Sequence, residues 1–324
     1  MTTYLITGGY GFLGQYIVQK VRSYDPQADL RVLIRKERKT YLDLTKLEHI
    51  TWIRGELTSP ESFADHLNGV DVVIHNAAMV SFSPTKRQEI FNANVIGTRN
   101  LARAAREAGS KTFIFISSIS AVEFRPTLIT DETFLPDLDY KKKYDIYGYT
   151  KRLSEVELCK MKDDMRVIIL NPSVILGPGA ERIESAIHMV SKFPILPMMD
   201  YINAFVDVRD VADAVILALS KGQSGERYII SAHNTGMVEF TRTIVKHLGK
   251  NTHVFSLSPI GLKIADGIVA LLDIVHINPG IRRPSQMNID KPCSYEKIKT
   301  EMGWEPKFTL DQSVADSVDW VTNE

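Results

Sequence analysis

Thr7-Gly8-Gly9-Tyr10-Gly11-Phe12-Leu13-Gly14 stands seven residues into the chain, between an apolar run and a segment with helical periodicity. Residues 4–6 (YLI) read as a buried strand, and residues 15–22 (QYIVQKVR) carry apolar side chains at helical spacing. Gly8, Gly11 and Gly14 fall between them as G-x-x-G-x-x-G. Glycine allows a tight backbone path and removes the Cβ atoms that would keep a pyrophosphate from a helix N-terminus, where free N–H groups favour anions. The stretch therefore predicts a nucleotide-binding turn, with Gly8, Tyr10, Gly11, Phe12, Leu13 and Gly14 at the cofactor.

Outward from this turn, residues 30–34, 50–54, 70–75, 112–117 and 166–171 read as further strands, and 88–108 and 147–162 as helices. Apolar strands alternating with helices predict an α/β fold with a doubly wound parallel sheet. After about Pro172 the elements shorten and are punctuated by Pro178, Pro194, Pro197, Pro259, Pro279 and Pro284, which predicts a smaller C-terminal substrate-binding lobe. The expected division is a Rossmann domain over 1–172 and a lobe made mainly of 173–324. Residues 205–232 should return to the Rossmann domain, since 205–219 read as a strand entering a helix. Ligand then binds in the crevice at the carboxyl ends of the strands.

Lys plus Arg and Asp plus Glu each number 39, so the formal charge is zero and no overall field favours nucleic acid or an anionic membrane. A small-molecule partner is the expectation. Two cysteines, Cys159 and Cys293, form no disulfide framework or Cys-rich metal site and point to a reducing cytoplasm. No basic leader precedes the first strand, and the most apolar stretch, 261–277, is interrupted by Lys263, Asp266 and Asp273. The reading is no signal peptide and no membrane span. The histidines lack ligand spacing, so no metal is expected.

Tyr147 and Lys151 are four residues apart, hence on one helix face. An ammonium there would lower the tyrosine pKa from about 10 and make the phenol a usable acid or base. Tyr16 and Lys20 share the spacing but sit on the helix behind the glycine turn, where an amphipathic surface position is the plainer account. The fifth strand runs out into Ser117-Ser118-Ile119-Ser120, putting hydroxyls at a strand's carboxyl end.

In this order the glycine turn, the serines and Tyr147/Lys151 resemble the extended short-chain dehydrogenase/reductases of the NAD-dependent epimerase/dehydratase type, over most of the chain. The resemblance implies Ser118, rather than Ser117, as the serine that orients a carbonyl. It implies Tyr147 as the proton donor and Lys151 as the cation that holds the nicotinamide ribose. Asn94, in Asn94-Val95-Ile96-Gly97-Thr98, then helps position the proton path or the helix. It also places Asn76, Ala77 and Ala78 at the ribose and pyrophosphate, Pro172 and Ser173 against the nicotinamide, and Glu56 and Leu57 beside the adenine. Arg209-Asp210-Val211-Ala212 and Met302-Gly303-Trp304-Glu305-Pro306 are family-like and structural.

Where NAD enzymes carry an acid after the second strand, this chain has Arg35-Lys36, then Arg38-Lys39. The cluster suits a 2′-phosphate and predicts NADP, with NAD as the other candidate. The dehydratase triplet Thr-Asp-Glu is absent from the serine position; Thr130-Asp131-Glu132 falls in a later loop and is given no catalytic role. Ala78-Met79-Val80-Ser81-Phe82 looks most like the dihydroflavonol reductase and 3β-hydroxysteroid dehydrogenase branch. The expected activity is NADP-dependent interconversion of a carbonyl and a secondary alcohol on a small or medium apolar substrate, with 259–277 as a pocket wall, a core helix or a dimer helix. The alternatives are a nucleotide-sugar epimerase with retained NAD and a non-catalytic NADP sensor. By analogy with relatives, helices 88–108 and 147–162 would form a homodimer contact.

Overall fold

The computed structural model describes residues 1–37, 40–81, 84–125, 127–274 and 289–323. Arg38, Lys39, Phe82, Pro279, Pro284, Arg282, Arg283 and the end of 259–277 lie outside the described residues. The first half runs β1 (Thr3–Thr7), α1 (Phe12–Tyr24), β2 (Asp29–Ile34), β3 (Ile50–Arg54), β4 (Val72–His75), α2 (Arg87–Phe91) and α3 (Gly97–Glu107). It continues through β5 (Thr112–Ile116), α4 (Leu138–Tyr144), α5 (Ile146–Cys159) and β6 (Arg166–Pro172). The second half holds β7 (Val174–Leu176), α6 (Glu181–Lys192), β8 (Ile195–Met198), β9 (Ile202–Asp207), α7 (Val208–Lys221) and β10 (Arg227–Ile230). After them come β11 (His233–Gly236), α8 (Met237–His247), β12 (His253–Ser256), α9 (Pro259–Ile274), α10 (Glu296–Met302) and α11 (Leu310–Asn323).

Seven strands form one sheet in the order β10-β6-β5-β4-β1-β2-β3, every neighbouring pair parallel. The chain leaves β1 toward β2 on one side and returns to β4 on the other. That reversal opens the crevice at the carboxyl ends of β1 and β4, where this fold binds ligands. Leu5, Ile6, Val73, Ile74, Ile114, Ile168 and Ile169 are fully buried. These apolar runs on both sheet faces are what the parallel arrangement requires, each such side chain contributing roughly 1.5–3 kcal/mol.

Residues 88–108 are not one regular helix: α2 passes through a π turn at Asn92–Ile96 into α3. Gly97 lets that helix approach the loop after β3, since a Cβ there would lie 2.9 Å from Leu57 Cβ. β9 pairs with β7 and β11 in a separate three-stranded sheet. α7 instead packs its Val211, Ala214, Val215 and Ala218 into the core cluster that contains β1 and α1 residues, and β10 extends the main sheet beside β6. The two family-like segments meet here. Asp210 accepts from the backbone N–H groups of Lys307 and Phe308, and Trp304 Nε1 donates to its carbonyl at 3.0 Å. Among the described residues, no helix is long and apolar enough to cross a membrane, and no cluster of His, Cys, Asp and Glu could hold a metal.

Candidate active site

Gly8 adopts φ +73°, the left-handed region that favours glycine, and a Cβ on it would come within 3.0 Å of the Ala77 backbone. A Cβ on Gly14 would lie 2.0 Å from the Gly8 carbonyl oxygen. The turn closes through Gly11 N–H donating to Gly8 O at 2.9 Å. α1 then follows Gly11 as its N-cap, with neither a side-chain cap nor an acid in its first turn, an N-terminus suited to an anion. Beneath it, Thr7 Oγ1 bonds His75 Nδ1 at 2.7 Å and accepts from Ala77 N–H at 3.0 Å; His75 Nε2 bonds Thr98 Oγ1 at 2.9 Å. Burial, reinforced by the Lys151 charge, pushes His75 down to about 3, so it is a neutral structural histidine.

A cavity of about 500 Å³ extends from the turn to the ends of β2 and β3, lined among others by Tyr10, Arg35, Lys36, Glu56, Leu57, Asn76, Ala77 and Ala78. Arg35 and Lys36 are exposed at its rim. Asn76 Nδ2 reaches the Gly8 carbonyl at 3.4 Å, and Tyr10 stacks on Trp52 with ring centroids 4.4 Å apart. A second cavity, about 550 Å³, adjoins it and is lined by Phe12, Leu13, Ser118, Tyr147, Lys151, Pro172, Ser173, Tyr41, Arg182 and Trp320 among others. Ser173 Oγ is buried there without a hydrogen-bond partner. A glycine cradle that any Cβ would fill and an orphaned hydroxyl farther in both fit a dinucleotide laid across the two cavities.

Tyr147 and Ser118 are hydrogen-bonded side chain to side chain. Ser118 Oγ also accepts from Ser120 N–H at 3.1 Å, capping the short turn after β5, which leaves its own proton to donate. Ser117 faces away, donating to Glu155 at 2.5 Å. Lys151 is 2% exposed; its ammonium donates to the Ile116 carbonyl at 2.7 Å and sits 4.6 Å from the centroid of the Phe115 ring. The electrostatics differ from the sequence expectation. Burial drives Tyr147 up to about 12, and what pulls it down is the bond with Ser118 and the charge of Arg182 rather than Lys151. Burial also brings Lys151 down to about 7. Arg182, near the start of α6, belongs to the loop-rich half, and no spacing in the sequence connects it with Tyr147.

Asn94, inside the π turn, clamps Met79 from both sides: its Oδ1 accepts from Met79 N–H at 2.8 Å and its Nδ2 donates to Met79 O at 3.1 Å. The same Nδ2 lies 3.1 Å from Thr150 Oγ1. Asn94 therefore positions the loop after β4 against α5 through Met79 and Thr150. Tyr16 is buried rather than an amphipathic surface position. Its hydroxyl donates to Pro178 O at 2.8 Å, while Lys20 pairs with Asp213. Glu132 of the Thr130-Asp131-Glu132 segment accepts from Ile229 N–H at 2.7 Å, a tie between a loop and β10.

A doubly wound sheet with this cradle at its switch point defines the class, a dinucleotide-binding oxidoreductase of the extended short-chain dehydrogenase/reductase type that uses NAD(P). Within that class the chain belongs to the 3-beta hydroxysteroid dehydrogenase/isomerase family, whose model matches residues 5–258. Among its relatives, the sterol demethylase protein B of Methylococcus capsulatus is 29% identical over 99% of this chain and 98% of its own. The UDP-glucose 4-epimerase of Vibrio cholerae is 25% identical over 95% and 92%. The crystal structure of gox2253 superposes with a TM-score of 0.82 at 24% identity, covering all of this chain and 98% of the other.

Proposed function

We propose that this enzyme interconverts a carbonyl and a secondary alcohol on an apolar substrate, with NADP as its cofactor. The hydrogen bond between Tyr147 and Ser118 on the wall of the inner cavity carries this reading. In the reducing direction, Ser118 Oγ donates to the carbonyl oxygen and orients it. Tyr147 Oη delivers the proton: burial keeps the phenol protonated, and the Ser118 hydroxyl and the Arg182 charge offset part of the rise that would make it a weaker donor. The bound nicotinamide supplies or accepts the hydride. Lys151, on the wall of the inner cavity, would hold the nicotinamide ribose, and the Asn94 clamp on Met79 fixes the loop that borders both cavities.

Arg35 and Lys36 at the rim of the outer cavity support NADP, because a guanidinium pairs with a phosphate in planar, bidentate geometry. The substrate-binding lobe would comprise the elements after β6, apart from α7 and β10, since Val174, Ile175 and Ala180 complete the inner cavity. Its apolar wall and the sterol-linked relative support an apolar skeleton. The epimerase relative supports a second reading, in which the same residues act on a nucleotide sugar with retained NAD.

A screen of purified protein against ketones, sterols and UDP-sugars, with NADPH and NADH followed by nicotinamide absorbance, decides between them. The expected result is NADPH-dependent turnover of an apolar carbonyl compound. NAD recovered from the purified protein, together with turnover of UDP-sugars alone, would replace this reading with the epimerase.

A further inference from the structure

Behind the site lies a buried carboxylate that the reaction scheme leaves unused. Glu155 is one turn after Lys151 on α5 and fully buried. Its Oε1 accepts from Ser117 Oγ at 2.5 Å and from Asn171 Nδ2 at 2.6 Å. Oε2 accepts from Arg152 Nη1 at 2.9 Å and lies 3.0 Å from Arg227 Nε. Groups from the end of β5, from β6, from β10 and from α5 itself thus converge on one side chain. Asn171 Nδ2 has a second partner, the Ser118 carbonyl at 3.0 Å, so a single amide connects the carboxylate to the backbone of the site serine.

A buried ion cluster is often no more stable than apolar packing of equal volume, so stability alone does not account for this one. Its position beside Lys151 does. The other groups facing Lys151 are the Ile116 carbonyl and Phe115 ring of β5 and the neutral His75 of β4. Burial works against the ammonium, and the Glu155 charge works for it. Around Glu155 itself stand Arg152, Arg227 and Cys159, with Glu132 beyond Arg227.

We propose that Glu155 is a positioning residue of this site, fixing the Ser118 backbone through Asn171 and keeping the Lys151 ammonium charged against its burial. The proposal rests on the reading of Lys151 as the cation that holds the cofactor. With the carboxylate neutralised, Lys151 should lose its proton at lower pH, and whatever depends on the ammonium should fail earlier as pH rises.

NADP⁺ affinity, measured by calorimetric titration from mildly acidic to alkaline pH so as to bracket the Lys151 transition near 7, reads this directly. Alongside it, the pH dependence of acetylation of Lys151 by acetic anhydride, followed by mass spectrometry, reports the neutral amine without any cofactor. Glu155→Gln should move both transitions down by roughly one pH unit. Arg152→Gln, which removes a cation from the cluster, should move them up by less. Ser117→Ala removes a hydrogen bond and no charge; it should lower Tm and leave both transitions in place. Identical transitions in Glu155→Gln and the wild type would overturn the proposal. Should Glu155→Gln fail to fold, an unmoved Arg152→Gln overturns it. If wild-type protein binds no NADP⁺, the cofactor reading has failed and the acetylation profiles still decide the role of Glu155.

Discussion

The glycine cradle and the wall opposite Tyr147 are built in different ways. The cradle is one continuous stretch, residues 7–14, whose shape excludes a side chain at its close-packed glycines: a Cβ on Gly14 would sit 2.0 Å from a carbonyl oxygen. The wall is assembled from Tyr41 after β2, Gly179–Arg182 before and within α6, and Trp320 of α11. Tyr41 and Trp320 meet edge to face at 6.0 Å, and Gly179, at φ +92°, leaves room for Tyr41. In the cradle, backbone geometry dictates residue type, and the type can be read back from the sequence. In the wall, function depends on which distant segments meet, and no local spacing records that.

The largest expected effect tests the junction of the two. Tyr147→Phe keeps the ring that lines the inner cavity and removes only the phenolic hydroxyl, so turnover should fall by roughly 10²- to 10⁴-fold. Cofactor affinity should stay within a few-fold, because the cradle is untouched. Steady-state kinetics beside calorimetric titration separate the two quantities; near-normal turnover would remove Tyr147 as the proton donor.

A smaller effect belongs to the far end of the cradle. Arg35→Ala should weaken NADP(H) relative to NAD(H) by about 10- to 150-fold, the equivalent of the roughly 1.5–3 kcal/mol of a hydrogen bond to a charged group. Titration with both cofactors checks it. Equal binding of the two by the wild type would mean that the rim cations are an ordinary solvated charge run.

Fold class was legible because strand and helix periods alternate and the glycine turn follows the first strand; the seven-stranded parallel order agrees with that reading. Ser118 and Tyr147 could be singled out, Tyr147 by its place on a helix that follows the serine-rich end of a strand, and Ser118 among those serines by the family resemblance. Their contact could not, and neither could its electrostatics. Four-residue spacing suggested that Lys151 tunes Tyr147, yet the lysine turns to the Ile116 carbonyl, and the tuning cation is Arg182 from the other half of the chain. The π turn at Asn94 was hidden for a related reason. Residues 88–108 have helical periodicity throughout, and only the clamp on Met79 shows what the irregular turn accomplishes.

The pH response of the cradle's support sharpens the contrast further. His75 in the folded chain is pushed down to about 3 from 6.5, so between those values the unfolded state binds the extra proton. Its contribution to stability is complete above pH 6.5 and disappears as pH falls toward 3. His75→Gln should show a shallower loss of stability over that range than the wild type, measured by denaturant unfolding at a series of pH values. An unchanged slope would assign the acid response to other groups.

The smallest effect concerns the hydrogen bond by which α1, directly behind the cradle, reaches the segment that leads to the wall. Tyr16 shares the Tyr-x-x-x-Lys spacing with Tyr147, but its hydroxyl donates to Pro178 O, and Lys20 is occupied by Asp213. Tyr16→Phe removes that single bond and leaves the Pro178 carbonyl without its donor. The expected loss is about 0.5–1.5 kcal/mol in chemical denaturation, rising toward 3 if the carbonyl stays dry. Turnover should change little, since the ring still fills its place against Phe12 and Tyr41. Near-normal stability combined with a large fall in turnover would reverse the assignment. The spacing that was set aside as structural would then belong to the chemistry, and the wall would be more tightly coupled to the cradle than one hydrogen bond implies.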